Sequence, residues 1–504
     1  MRTDPACPRT GYLTAIRRLF AGKTAAPHIP PRLSSPLLLA PCALFSFSIR
    51  RGLLLPILLH AALLPTLPGC GREPDTPPES TGYPASADVG IRQEGEAPHM
   101  DPRYTREMET IALDPRIQEA LAYLEALEEP SIQDLVYLTE IPAPPFMEEA
   151  RAAAYAEMLR EAGADTVWLD EVGNVIALRQ GTVGDRTVAL DGHLDTVFPP
   201  ETDVTVRFRG DTLFAPGVGD DTRGLIVVRN VLKTLAALDL RTEADLLFIG
   251  TVGEEGLGDL RGVKHLFREG GHPIDAFIAV DGGGDTRIVN QAVGSMRYRV
   301  TYKGPGGHSW GAFGLANPHN ALAGAIQHFV AAADAHTRSG PRTSYNVGRL
   351  GGGTSVNSIP FESWMEVDMR SLDPESLAEL DRHFQKAVRR GLEEENALRR
   401  SGAPLTVDVE MVGDRPAGVL DPATTPLIQR FMAAVRFQGK EPALGSGSTN
   451  ANIPISLGIP AITIGRGGQG GGVHSLDEWW LGVDAHLAAQ NALLVVLAEG
   501  GFQR

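Results

Sequence analysis

His193, Asp195, Asp220, Glu254, Glu255, Asp281 and His474 are the residues of this sequence whose types and spacing could do chemistry together. His193 and Asp195 follow an apolar run, Val188-Ala189-Leu190, and so stand where a buried strand ends. Two positions apart in extended backbone, they share a face. A metal-binding histidine usually gives its second ring proton to a carboxylate, which fixes the tautomer. His193 as ligand with Asp195 behind it meets that need. The plain alternative is a polar strand end for this pair and a solvated surface group for each of the other acids. What sets them apart is that predicted strands and one loop deliver them all to the same edge.

The elements that must do this are short apolar runs. The run 246–249 leads to Glu254 and Glu255, the run 277–280 directly to Asp281, and the run 461–464 through a glycine-rich loop to His474. A further loop, 217–224, places Asp220 ahead of a predicted helix. In an open α/β sheet, ligands gather beyond the carboxyl ends of the strands. The only cysteines are Cys7, Cys42 and Cys70, so the body has neither a disulfide nor a thiolate zinc site. A cation held by His, Asp and Glu alone suits zinc, manganese or cobalt. Two divalent ions about 3.5–4 Å apart polarise a carbonyl and activate water. Cations so close need an anion between them, a role for Asp220. Adjacent Glu254 and Glu255 can divide the remaining work, one turned to metal, the other free to take the water's proton and pass it to a leaving amine.

The chain has 504 residues, 43% hydrophobic and 21% charged, with a formal net charge of −16. That is too long for one core and predicts two domains plus extras. The negative charge argues against nucleic acid as a partner. Residues 1–70 read as a leader: Arg50 and Arg51, an apolar stretch over 52–64, then Leu67-Pro68-Gly69-Cys70. This resembles a bacterial lipoprotein signal with Cys70 as the lipidated residue, although Pro68 is unusual there. It predicts a cell-envelope or periplasmic location with membrane anchoring. An unprocessed anchor and a start codon placed too far upstream, which would leave the protein cytoplasmic, are the alternatives. Residues 71–105, rich in Pro, Ser, Gly and acids, read as a disordered tether.

From 106 onward apolar runs alternate with helical periods, the pattern of an α/β sheet covered on both faces. Helical periods run through Ile117, Leu121 and Leu124 and again through Ile132, Leu135 and Leu138. A helix is predicted over 146–162 and another over 224–238. The texture changes near 295. Strand 296–302, helix 318–335, strands 345–350 and 363–369, helix 374–395 and strand 405–411 form a β-α-β-β-α-β, ferredoxin-like unit. The first texture returns after Pro416, with a helix over 425–437 and a last one over 483–498. The predicted layout is a first part of an α/β domain over 106–294, an inserted domain over 295–413 and the second part over 414–504.

Taken together, His193-Leu194-Asp195, Asp220-Asp221, Glu254-Glu255, Asp281 and His474 resemble the co-catalytic metallopeptidases of family twenty, which include peptidase T, glutamate carboxypeptidases, deacetylases, desuccinylases and aminoacylases. The resemblance covers about 106–500. It implies a zinc-peptidase-like α/β catalytic domain with an inserted lid that makes a homodimer. It implies two metal ions, bridged by Asp220, with His193 and Asp281 on one, Glu255 and His474 on the other, Glu254 as general base and Asp195 as partner of His193. His308 in Gly306-Gly307-His308-Ser309 looks like the lid histidine that stabilises the oxyanion, often across the dimer. Asn357 and Arg370 look like substrate-carboxylate contacts, a task that suits a planar guanidinium. Thr222-Arg223 and Ser448-Thr449-Asn450 depart from the family's usual loops and are expected to bear on the substrate. Within the family an Asp at position 281 goes with aminopeptidases and dipeptidases. The implied activity is therefore hydrolysis of short peptides, with removal of an acyl group from an N-acyl amino acid as the alternative. A peptide-binding protein without catalysis would need a damaged ligand set, and none is visible.

Overall fold

A computed structural model describes residues 99–503. The leader, Cys70 and all but the end of the expected tether lie outside them. Among the described residues no helix is long and apolar enough to cross a membrane.

A nine-stranded mixed sheet forms the larger domain. At its centre the strand Thr187–His193 runs parallel to Asp245–Thr251 on one side and Ala276–Val280 on the other, and Ala461–Ile464 continues the parallel set. These strands read as unbroken apolar runs because both faces are covered. Val188 and Leu190 point into a core shared with the helices Pro115–Thr139, Gly224–Ala237 and His486–Gly500; Ala189, Leu247 and Phe277 point into a second core under Arg261–Leu266 and Asn452–Ser456. Gly192 permits the close approach of one helix: a Cβ there would lie 3.1 Å from the Leu225 nitrogen.

Several boundaries differ from expectation. The domain begins with the helix Pro102–Ala112 rather than at 106. Asp101 caps it by accepting from the Arg103 nitrogen, and Tyr104 and Met108 are buried. The two periodic stretches between 117 and 138 join in one helix, Pro115–Thr139, which continues through Pro130. The next helix starts at Glu149 rather than 146, because Phe146 takes a positive φ of 73° that no helix accommodates. The strand ahead of the site is longer than the apolar run and includes His193 itself. The short strands Thr166–Leu169, Val175–Arg179, Arg287–Ala292 and Ala443–Gly447 are additions to the expected set.

The inserted domain has the expected order: Gly294–Lys303, Pro318–Thr337, Thr343–Gly352, Glu362–Ser371, Pro374–Leu398 and Thr406–Arg415. Its four strands are antiparallel, with Gly294–Lys303 between Glu362–Ser371 and Thr406–Arg415. Both helices cover one face and enclose a separate core of Tyr302, Phe329, Met365 and Phe384. Along Glu362–Ser371 every second residue is buried there, which leaves Trp364, Glu366, Asp368 and Arg370 on the opposite face. The chain enters and leaves through neighbouring strands, with Ser295 and Arg415 partners in register.

Candidate active site

The carboxyl ends of the parallel strands deliver their polar residues to one place. His193 closes its strand, Asp281 follows Val280 directly, and Glu254 and Glu255 follow Thr251 within four residues. His474 arrives on the loop after Ala461–Ile464, and Asp220 on an irregular turn, Val218–Arg223, ahead of the helix Gly224–Ala237. Within three groups, ligand atoms lie within 4.8 Å of one another: His193 with Asp220 and Asp281; Asp220 with Glu255 and His474; and His193 with Glu254 and Glu255. The first two share Asp220. His193 Nε2 is 3.1 Å from Asp220 Oδ1, and His474 Nε2 is 3.2 Å from Asp220 Oδ2 and 2.8 Å from Glu255 Oε1. Buried acids in such number need cationic partners. Hydrogen bonds to Asp220 and Glu255 raise His474 to about 11. Burial would raise Asp220, but the two histidines hold it well below the usual carboxylate range. This is a donor set suited to divalent cations, whose charge would take the place of those protons.

Asp195 behaves differently from expectation. His193 Nδ1 lies 3.0 Å from the Asp195 backbone carbonyl and 3.8 Å from its carboxylate. A carbonyl only accepts, so Nδ1 carries the proton and Nε2 is left for the cation side. The carboxylate is taken up elsewhere: it accepts from the backbone nitrogens of Glu254 at 2.9 Å and Glu255 at 2.8 Å. Asp195 therefore orients the histidine through its main chain and the glutamate pair through its side chain.

Two partners carry no sequence signal. Glu478 accepts from the nitrogens of Gly217, Gly219 and Asp220 at 2.8, 3.0 and 2.9 Å and so shapes the Asp220 turn. That turn also needs a glycine at 217, with φ 77° and only 2.7 Å from a would-be Cβ to the Thr196 methyl. Arg415, at the exit of the inserted domain, pairs with Glu254 at 3.1 Å and also donates to the Glu254 carbonyl. Both side chains are almost fully buried. Burial raises the Glu254 carboxyl to about 8, with Arg415 pulling the other way.

The site opens into a cavity of about 980 Å³ between the domains, lined among others by Asp220, Glu254, Asp281, His474 and Arg370. His308 and Asn357 are not brought to it. His308 stands on a separate two-stranded ribbon, Gly307–His308 with Ser358–Ile359, where its Nδ1 accepts from the Trp310 and Gly311 nitrogens; Asn357 directly precedes the second strand and accepts from Ser355. Of the loop departures, Ser448 and Thr449 line the cavity, while the others are turned inward. Thr222 and Arg223 are buried, bonded to Gly217 and Glu128. Asn450 is 3% exposed and donates to Asp191 and Thr251 behind His193.

A polar cleft of this build, between an α/β domain and an inserted ferredoxin-like one, defines a class of two-domain hydrolases. The chain belongs to peptidase family M20/M25/M40, whose model matches residues 189–499. Enzymes of that family typically hold two metal ions. A succinyl-diaminopimelate desuccinylase of Corynebacterium glutamicum is 25% identical over 337 residues, 66% of this chain and 86% of that protein. A Pyrococcus abyssi relative named for LysW-lysine/LysW-ornithine hydrolysis is 32% identical over 133 residues, 26% of this chain, and the chain spans 36% of that relative's length. The aminopeptidase PepT of Bacillus cereus shares the fold, with a TM-score of 0.58 at 20% identity over 73% of this chain and 98% of that one.

Proposed function

We propose that this chain is a two-metal exopeptidase that cleaves the terminal amide bond of short peptides, an aminopeptidase or tripeptidase in the manner of peptidase T. The observation that carries the reading is Asp220 standing in two ligand groups at once, with Glu254 beside them and outside both. In it His193 and Asp281 hold one divalent cation, Glu255 and His474 the other, and Asp220 both; zinc is the first metal to test, then manganese and cobalt. A pair of cations held there would supply the Lewis acidity needed at the scissile carbonyl and at a water molecule. Glu254 takes the proton from that water and hands it to the departing nitrogen. Arg415 holds the Glu254 side chain in place, and Arg370 anchors the substrate's carboxylate. His308 and Asn357 serve the site of a second copy in a homodimer.

Asp281, the residue type that goes with peptidases in this family, supports the peptidase reading. The desuccinylase relative, matched over most of its length, favours a second one, removal of an acyl group from an amino acid at the same centre. A panel of free di- and tripeptides beside N-acetyl and N-succinyl amino acids, with zinc, manganese or cobalt supplied, separates them. Turnover of the unblocked peptides is expected, and turnover of the acylated compounds alone would overturn the peptidase assignment. The leader supports an exported chain held at the cell envelope through Cys70, and fatty-acid labelling lost in Cys70→Ser is its test.

A further inference from the structure

The face of the inserted sheet that looks toward the cavity is cationic beyond the needs of its own packing. Arg297, Arg342 and Arg370 all line the cavity. Ser344 and Arg370 are partners in register, and Arg342 stands just ahead of the strand Thr343–Gly352, so Arg342 reaches the same cavity wall diagonal to Arg370. On the same face Asp368 is opposite Arg297 and two residues from Arg370. It accepts from Arg297 at 2.9 Å and from Arg370 at 2.8 Å, so one carboxylate is shared between two guanidinium groups. Arg342 is exposed and, among the described residues, its side chain has no ion pair or hydrogen bond. The acids that line the cavity are Asp220, Glu254, Glu255 and Asp281, all of them in the ligand cluster. Beyond Asp368, which serves Arg297 and Arg370, none is left over to pair with Arg342.

We propose that the wall is a two-carboxylate receptor and that the preferred substrate is a short peptide ending in aspartate or glutamate. The chain-end carboxylate sits on Arg370 and the side-chain carboxylate on Arg342. The assignment rests on the exopeptidase reading for its peptide part. A fixed fork of donors such as Arg342 is suited to a planar carboxylate and holds it by two parallel hydrogen bonds. A neutral C-terminal side chain leaves that fork without a partner.

Calorimetry of the full chain with glutarate and with butyrate isolates the second carboxylate without any turnover. In the unaltered protein glutarate is expected to bind about tenfold more tightly, the size of one charge-assisted contact. In Arg342→Met the two ligands are expected to converge, and Arg342→Lys should keep part of the difference. Turnover gives a second readout: the ratio of KM for Ala-Ala-Ala to KM for Ala-Ala-Glu should exceed one and collapse toward it in Arg342→Met. A glutarate preference that survives Arg342→Met, or equal binding of both ligands from the start, overturns the receptor. If no peptide is cleaved, the exopeptidase reading falls while the calorimetry still decides on the wall.

Discussion

Asp195 shows how much one buried acid can arrange. Its carbonyl sets the His193 tautomer while its carboxylate grips the two backbone nitrogens that follow the neighbouring strand, so the histidine and the glutamate pair are positioned from a single residue. The convergence of these side chains was legible from sequence, because His and acid residues ending apolar strands have few other reasons to be there. The division of labour within Asp195 was not, since spacing alone places its carboxylate behind the histidine. Glu478 and Arg415 were invisible for another reason: each meets its partner across more than 150 positions, |i−j| being 258 for Glu478 with Asp220 and 161 for Arg415 with Glu254. The histidines also make a pH prediction. In the metal-free chain Asp220 and Glu255 hold His474 up to about 11, so its stabilising contribution is complete below the unfolded value and disappears as pH rises through about 11. A cation must displace that proton. Metal affinity should therefore rise with pH, and the melting temperatures of loaded and metal-free protein should diverge from about pH 6.5 upward. Calorimetric titration in two buffers of different ionisation enthalpy should register proton release on metal uptake. Equal heats in both would contradict the assignment of His474.

At the scale of elements, the strand Thr406–Arg415 links two tasks: it closes the inserted sheet and delivers a guanidinium to Glu254. Above pH 8, where Glu254 is ionised, replacing Arg415 by Met strands a buried carboxylate, and loss of one partner from a buried pair costs about 3–5 kcal/mol. Urea unfolding should show that loss. The double variant Arg415→Met, Glu254→Gln should recover most of it, because the uncompensated charge is gone. Additive losses would mean that the two side chains do not act on each other. The inserted domain was readable almost to the residue, since its strands alternate cleanly and its helices begin at Asn317-Pro318 and Asp373-Pro374. Other strands escaped notice for lack of any such alternation. Gln469–Gly471 offers almost no side chains to read, and Thr166–Leu169 is only four residues long with no buried position.

Among the described residues two domains share one cavity, yet within the same chain His308 stands on a ribbon apart from it, with Asn357 just ahead of one of its strands. If a second copy supplies them, Glu254→Gln and His308→Ala, each nearly inactive alone, should regain activity when unfolded together and refolded as a mixture. A mixed pair then contains one site with an intact base and an intact histidine. No recovery, with the two proteins shown to exchange subunits, would remove His308 from the partner's site. The paired connection at Ser295 and Arg415 has a wider meaning. Neighbouring antiparallel strands stand about 5 Å apart, a gap that a two-residue turn spans. The host sheet thus carries a socket into which a module of any length can be plugged without moving a ligand. Excising 296–414 and sealing the ends with Asn-Gly should leave a compact protein that still binds cations but has lost its grip on the substrate. Chemistry and selectivity then become separately exchangeable parts.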